Sequence, residues 1–276
     1  MHSAQAAAGA CRDEDPRFGA ICGGYLGLLA TPPVVLLVAW TVSRSPVVLA
    51  VTLVAALVTV GLATAWWLRS RPSLAVALGA TRKRWAFIAL AVGYAVAGFA
   101  QTGAVGPVGL VAVACGLFAS VFGIAIAVMS HTRYAVSATT GRPELARWTA
   151  SWPEREQRRR LRHGGAFAGV ATVGFAVGTI LESSLLQYTG QVLFPSGFVL
   201  ITTGGTRTAV ATDAGLEVRH PGARRFYAWD DLSGYDLDSE ALVLTREWGA
   251  DLRFATAEID DVSLVEWTLA ERLDDA

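Results

Sequence analysis

The chain has 276 residues, 53% hydrophobic and 17% charged, with mean hydropathy +0.43. Soluble domains carry roughly 25% charged residues, so an ordinary soluble globular protein is excluded for most of the length. The net charge of zero hides a division: residues 1–190 hold 16 Lys/Arg and 7 Asp/Glu, whereas residues 191–276 hold 7 and 16. Cys11, Cys22 and Cys115 form no CxxC pair, and His2, His131, His163 and His220 are scattered, so no metal or other cofactor is expected.

Uncharged apolar stretches of about 20 residues suffice for a helix to cross a hydrocarbon core of about 30 Å. In chain order these are residues 24–42, 47–68, 85–102, 108–129 and 165–181. A sixth, 185–203, carries Gln187, Gln191 and Pro195 but no charge. Residues 1–17 form a short tail; the flank of the first span, CRDEDPRFGA at 11–20, is not a basic leader, and a second span follows closely, so the first is not a secretory signal.

The spans pair into three hairpins. Within each, the connection is short and nearly uncharged: SRSP at 43–46, QTGAVGP at 101–107 and ESS at 182–184. Between hairpins the connections are basic. Residues 69–84 carry five positive charges and no acid, and residues 131–163 carry eight Arg against three Glu. Positive loops stay cytoplasmic, which predicts hairpin tips outside and both termini in the cytoplasm of a plasma-membrane protein. Trp66, Trp67 and Trp85 then fall at the inner interface and Trp40 at the outer one. The sixth span decides the side of the acidic tail: six spans place it inside, five outside.

Ala112, Gly116, Ala119, Gly123 and Ala127 recur on the fourth span, and the fifth holds two GxxxG pairs, Gly165/Gly169 and Gly174/Gly178, on opposite faces. Small residues let membrane helices approach closely, so these stripes predict bundle packing. A transport pathway needs ionisable groups at mid-membrane depth, and the spans offer almost none. The Thr31-Pro32-Pro33 step within the first span, together with Glu182, keeps a small-solute transporter or channel as the alternative.

From about Thr208 the hydrophobic period changes from helical to two. TAVATD, GLEVR, RRFYAW, LSGYDL, EALVLTR and DLRFAT read as six short antiparallel strands separated by turn residues. After Asp260-Asp261, Val262, Val265, Leu269 and Leu273 lie along one face of a closing helix, with an aspartate as its cap. The predicted organisation is therefore a tail (1–17), a transmembrane domain (18–203) and a small β domain (204–276).

The strand ending Thr212-Asp213-x-Gly215-Leu216, the step Trp229-Asp230-x-Leu232, the strand Leu242-Val243-Leu244 and a C-terminal helix resemble the prokaryotic pleckstrin-homology-like (PH-like) domains attached to membrane proteins. The resemblance covers residues 208–276. It implies a small antiparallel β domain with a C-terminal helix, after a six-span, three-hairpin α-helical bundle. Within it, Gly215 is expected to permit a turn, Trp229 to pack the core and Asp230 to cap a turn. The eukaryotic relatives bind lipid headgroups in a basic pocket, for which Arg219, Arg224 and Arg225 are the candidates here.

No P-loop, GxGxxG after a strand, GxSxG or HExxH occurs, so no catalytic residue is assigned and the protein is not expected to be an enzyme. The arginine run at 155–162 lies beside a membrane and suits anionic lipid better than nucleic acid. The expected partners are the lipid bilayer and a protein engaged by the acidic C-terminal domain. The expected role is a non-catalytic, membrane-anchored binding or scaffold protein.

Overall fold

A computed structural model of the chain describes residues 16–183, 186–187, 190 and 205–273. Two compact units emerge: Met1–Gly141 with Ala223–Phe226, and Arg142–Gly222 with Tyr227–Ala276.

The first unit is helical. It contains α1 (Pro16–Thr41), α2 (Pro46–Arg69), α3 (Pro72–Gly79), a 3-10 turn (Arg82–Trp85), α4 (Ala86–Ala100), the single turn α5 (Thr102–Val105) and α6 (Pro107–Thr139). Proline stands in the first turn of α2, α3 and α6, where its missing N–H has no helical partner to lose. The segment 69–84, a connecting loop in the sequence reading, holds α3. Its Ala75 is buried, and Gly79 abuts the Ser130 carbonyl of α6.

Glycine sets the approach of the paired helices. Along α1, a Cβ at Gly19 would lie 3.1 Å from the Ala65 oxygen of α2 and one at Gly27 2.8 Å from the Leu57 oxygen, while Gly23 sits directly against Gly61. This glycine repeat of period four is a second small-residue stripe. The stripe expected on α6 is buried at Ala112, Gly116, Ala119, Gly123 and Ala127. It faces α4: a Cβ at Gly116 would lie 2.7 Å from the Ala95 nitrogen, and one at Gly98 2.8 Å from Ala112 Cβ. Both contacts follow the expected antiparallel hairpins.

The unit's core gathers Phe18, Tyr25, Ala91, Ala119 and Ile126, and the Tyr25 hydroxyl donates to the Phe87 carbonyl at 2.8 Å. Five helices in the two units are long and apolar enough to cross a membrane: Arg17–Thr41, Pro46–Arg69, Arg82–Ala100, Pro107–Thr139 and Glu154–Ile180. They match the first five predicted spans. The predicted sixth, 185–203, falls outside the described residues except for Leu186, Gln187 and Gly190, as does most of the 1–17 tail.

The second unit begins with β1 (Glu144–Ala150), continues into α7 (Glu154–Ile180) and then holds β2 (Arg207–Thr212), β3 (Gly215–His220) and part of β4 (Ala223–Ala228). A 3-10 turn at Trp229–Asp231 leads to β5 (Leu232–Leu237), β6 (Ala241–Arg246), β7 (Leu252–Ala255) and the closing helix α8 (Val262–Leu273). The strands form two antiparallel sheets, β1-β2-β3-β4 and β5-β6-β7. All six strands read from the tail are present. The seventh, β1, lies more than fifty residues upstream, within the basic connection 131–163.

β1 pairs with β2 through Arg147↔Val210, Trp148↔Ala209 and Ala150↔Arg207, and its alternate residues Ala146, Trp148 and Ala150 point into the core. There Trp148, 2% exposed, meets Phe254 edge-on at 5.7 Å between ring centroids. Leu216, Val218, Leu242, Leu244, Val265 and Leu269 complete the same cluster. Asp261 caps α8 as the pattern predicted: its Oδ1 accepts the Leu264 N–H at 2.9 Å and the Ser263 hydroxyl at 2.8 Å.

Candidate functional site

Two places concentrate polar chemistry: the β3–β4 turn, where the sequence locates its candidate arginines, and the junction where the β sheets join α7.

At the turn, Pro221-Gly222 links β3 to β4, and Gly222 adopts φ +81, which a residue without Cβ accepts at little cost. Arg219 lies at the end of β3, and its guanidinium binds Glu217 at 2.8 Å. Glu217 is 0% exposed. That hydrogen bond raises the Arg219 pKa above the ordinary arginine value, against the smaller opposing effect of burial. A buried carboxylate deprived of its cation would carry an uncompensated charge, so Arg219 is committed to the fold. Arg224 and Arg225 are exposed on β4. They belong to the helical unit, where the Arg224 amide donates to Thr132 Oγ1 at 3.1 Å.

Several residues carrying the PH-like resemblance have structural duties. Trp229 is buried, and its Nε1 donates to the Thr212 carbonyl at 3.1 Å, while Thr212 Oγ1 donates to the Gly215 carbonyl at 2.8 Å. Asp230 is exposed on the 3-10 turn, which has no side-chain cap. Asp213 pairs with Arg142 at 3.0 Å, joining the start of the unit to the β2–β3 turn.

The junction was not foreseen, because its strand was hidden in a basic loop. Three residues separate β1 from α7, and all are engaged. The Ser151 amide and hydroxyl donate to the Glu258 carboxylate at 2.7 and 2.6 Å, and the Ser151 carbonyl accepts the Ala255 amide at 3.0 Å. The Trp152 ring carries the Arg160 guanidinium at 3.5 Å and the Arg207 guanidinium at 4.2 Å. Pro153 is buried at the helix start. Buried Arg207 also donates to the Arg253 carbonyl at 2.7 Å.

Ion pairs then run between the first turn of α7 and the small sheet: Arg155–Glu240 at 3.1 Å and Glu156–Arg253 at 2.8 Å. The two pairs have opposite polarity, one with its arginine on α7 and one with its arginine on the sheet.

Among the described residues, no group of three or more His, Cys, Asp or Glu side chains could hold a metal ion. Among the described residues of the helical unit, the buried hydroxyls of Thr31 and Ser130 each donate to a carbonyl of their own helix, Gly27 and Ala127, and that of Tyr25 donates to the Phe87 carbonyl of α4. No protein-family model matches the chain, and no curated protein matches it in sequence.

Proposed function

We propose that this is a non-catalytic, multi-pass membrane protein that holds a PH-like binding module against the cytoplasmic face of the plasma membrane, where the module's acidic surface receives a basic protein segment. The observation that carries this reading is the pairing of β1 with β2. Ala150 stands opposite Arg207 in one ladder, where facing Cα atoms are about 5 Å apart. Between them runs α7, 27 residues and about 40 Å long. If α7 crosses the membrane, the chain has to cross again before Arg207, which gives six crossings.

The described residues beyond α7 agree with such a return. Glu182 takes a left-handed turn, φ 52. The Gln187 side-chain amide donates to the Gly178 carbonyl at 3.2 Å, and a Cβ on Gly190 would lie 2.6 Å from the Ala171 oxygen. With six crossings and positive loops inside, both termini are cytoplasmic.

The PH-like assignment is supported by four strands in one sheet, three in the other and a C-terminal helix packed on both. Binding is favoured over transport because, among the described residues, the buried hydroxyls of the first unit, those of Tyr25, Thr31 and Ser130, already donate to backbone carbonyls. Exposed Asp230, Asp231, Asp236, Asp238 and Glu247 supply the acidic surface, which would steer a positively charged partner toward the module.

The test places a cysteine at Asp238 in a chain lacking Cys11, Cys22 and Cys115, and a photocrosslinking residue at Ser233 in a second chain. Protection from a membrane-impermeant maleimide until lysis is expected, with a salt-sensitive protein adduct at position 233. Labelling of intact cells would overturn the topology. Absence of any adduct at 233 and at neighbouring Asp236 would overturn the binding role.

A further inference from the structure

The charge pairing at the junction is selective. Arg155 is paired with Glu240, Arg158 with Glu154 at 2.6 Å, and Arg160 is stacked on Trp152. Arg159 and Arg162 are exposed, and among the described residues neither pairs with a carboxylate. They are three residues apart and so neighbours on the helix surface.

Continued at 3.6 residues per turn, their face runs through Ala166, Val170 and Val173. All three are exposed, Val170 by 63% and Val173 by 62%. The flank of α7 met by Leu186, Gln187 and Gly190 is a different one, formed by Ala171, Phe175 and Gly178. The uncharged stretch from Gly164 to Leu181 is about 27 Å long, close to a hydrocarbon thickness. Arg162 thus stands about 3 Å above its edge and Arg159 about 7 Å above, the depth of lipid phosphates. Their aliphatic stems can lie along the helix while the guanidinium groups reach that layer.

We propose that Arg159 and Arg162 form a headgroup site for one anionic phospholipid, whose acyl chains lie along Ala166, Val170 and Val173. Two guanidinium groups suit a phosphate because each can offer paired N–H donors. Arg155 and Arg158 beside them already face carboxylates, and Arg160 is turned onto Trp152, which leaves the attraction concentrated on this face. The inference rests on the membrane reading of α7 given above.

The full-length chain is reconstituted into phosphatidylcholine vesicles with trace phosphatidylglycerol or phosphatidylcholine bearing the same acyl-chain diazirine. Labelled peptides are then mapped by mass spectrometry. A cation at the membrane surface favours an anionic lipid about fivefold. Residues 164–175 should therefore take up the phosphatidylglycerol probe at least about fivefold over the other, and R159Q/R162Q should bring the two probes close to equality.

R158Q, which removes an arginine already paired, should keep the preference, as should the charge-retaining R159K/R162K. Inorganic phosphate at about 20 mM should not displace the lipid; displacement would assign the site to a soluble anion and overturn the proposal. Equal labelling of the wild-type chain, or a preference that survives R159Q/R162Q, would overturn it while leaving α7 in the membrane. Absence of labelling by both probes would overturn the membrane reading of this helix as well.

Discussion

Removing β1 should unfold the β module. Trp148 is 2% exposed, and an aromatic side chain of this kind buries about 150–250 Å². At about 25 cal/mol per Å² that amounts to roughly 4–6 kcal/mol. A folded segment of the size of residues 205–276 has a total stability of about 4–11 kcal/mol, from about 0.05–0.15 kcal/mol per residue. Trp148 alone is therefore comparable to the whole, before the ladder to β2 and the burial of Ala146 and Ala150 are added. The comparison needs two soluble proteins. One is residues 205–276 alone; the other joins Arg142–Pro153 to residue 205 through a short Gly/Ser linker, feasible because Ala150 faces Arg207 across the ladder. Near-ultraviolet circular dichroism during heating should show a cooperative transition for the joined protein and none for the shorter one. Trp148→Ala in the joined protein should cost about 3–5 kcal/mol. A cooperative transition in residues 205–276 within about 1 kcal/mol of the joined form would refute the reasoning.

Gly116→Leu should force α4 and α6 apart, since even a Cβ there would lie 2.7 Å from backbone at Ala95. A loss of at least about 1–3 kcal/mol, read as a lower aggregation temperature in detergent, should contrast with a neutral Gly93→Leu, where nothing lies within 4 Å. The Asp261 cap should make the joined β module sensitive to acid. Its hydrogen bonds to Leu264 and Ser263 hold its pKa below the ordinary 3.8, so the cap's contribution is full above that value and fades as pH falls through the lower, folded-state pKa. Thermal melting of Asp261→Ala should accordingly show a larger deficit at pH 7 than near pH 2. A deficit independent of pH would show that the cap does not act through its charge.

Hydropathy, charge asymmetry and period two made much of this architecture legible. The five long helices carry uncharged runs long enough for a helix to cross a hydrocarbon core, and the strands from β2 onward alternate with clear turn residues between them. The buried stripe on α6 was legible for the same reason, because small residues at spacings of three and four admit few other uses. β1 was not. Its inward positions are Ala146, Trp148 and Ala150, two of them too small to stand out, and its outward Arg147 merges with the arginines around it. The strand declares itself only through its partner β2, a long-range pairing that periodicity does not report. α3 was missed because eight residues between basic clusters look like a loop, although Ala75 and Gly79 show that the segment is packed. Of the three candidate arginines, Arg219 has a partner that the sequence pattern does not report: a buried glutamate two residues earlier on the same strand.

The split module also bears on how the proposed binding role would be exerted. A domain appended after the last span would hang from one strand of chain and could tumble on its linker. Here the chain enters the sheet at β1 and leaves at once into α7, then re-enters at β2, so α7 lies in an insertion between two adjacent strands. The connector is short and held at every residue, by Glu258 on Ser151, by two guanidinium groups on Trp152 and by burial of Pro153. Rotating α7 relative to the sheets would break the Ser151–Glu258 and Glu156–Arg253 contacts together, and such neighbouring contacts are lost cooperatively rather than one by one. A segment captured on the acidic face would therefore be held at a fixed height and angle above the lipid, an arrangement that suits a scaffold and that a flexible tether would forfeit.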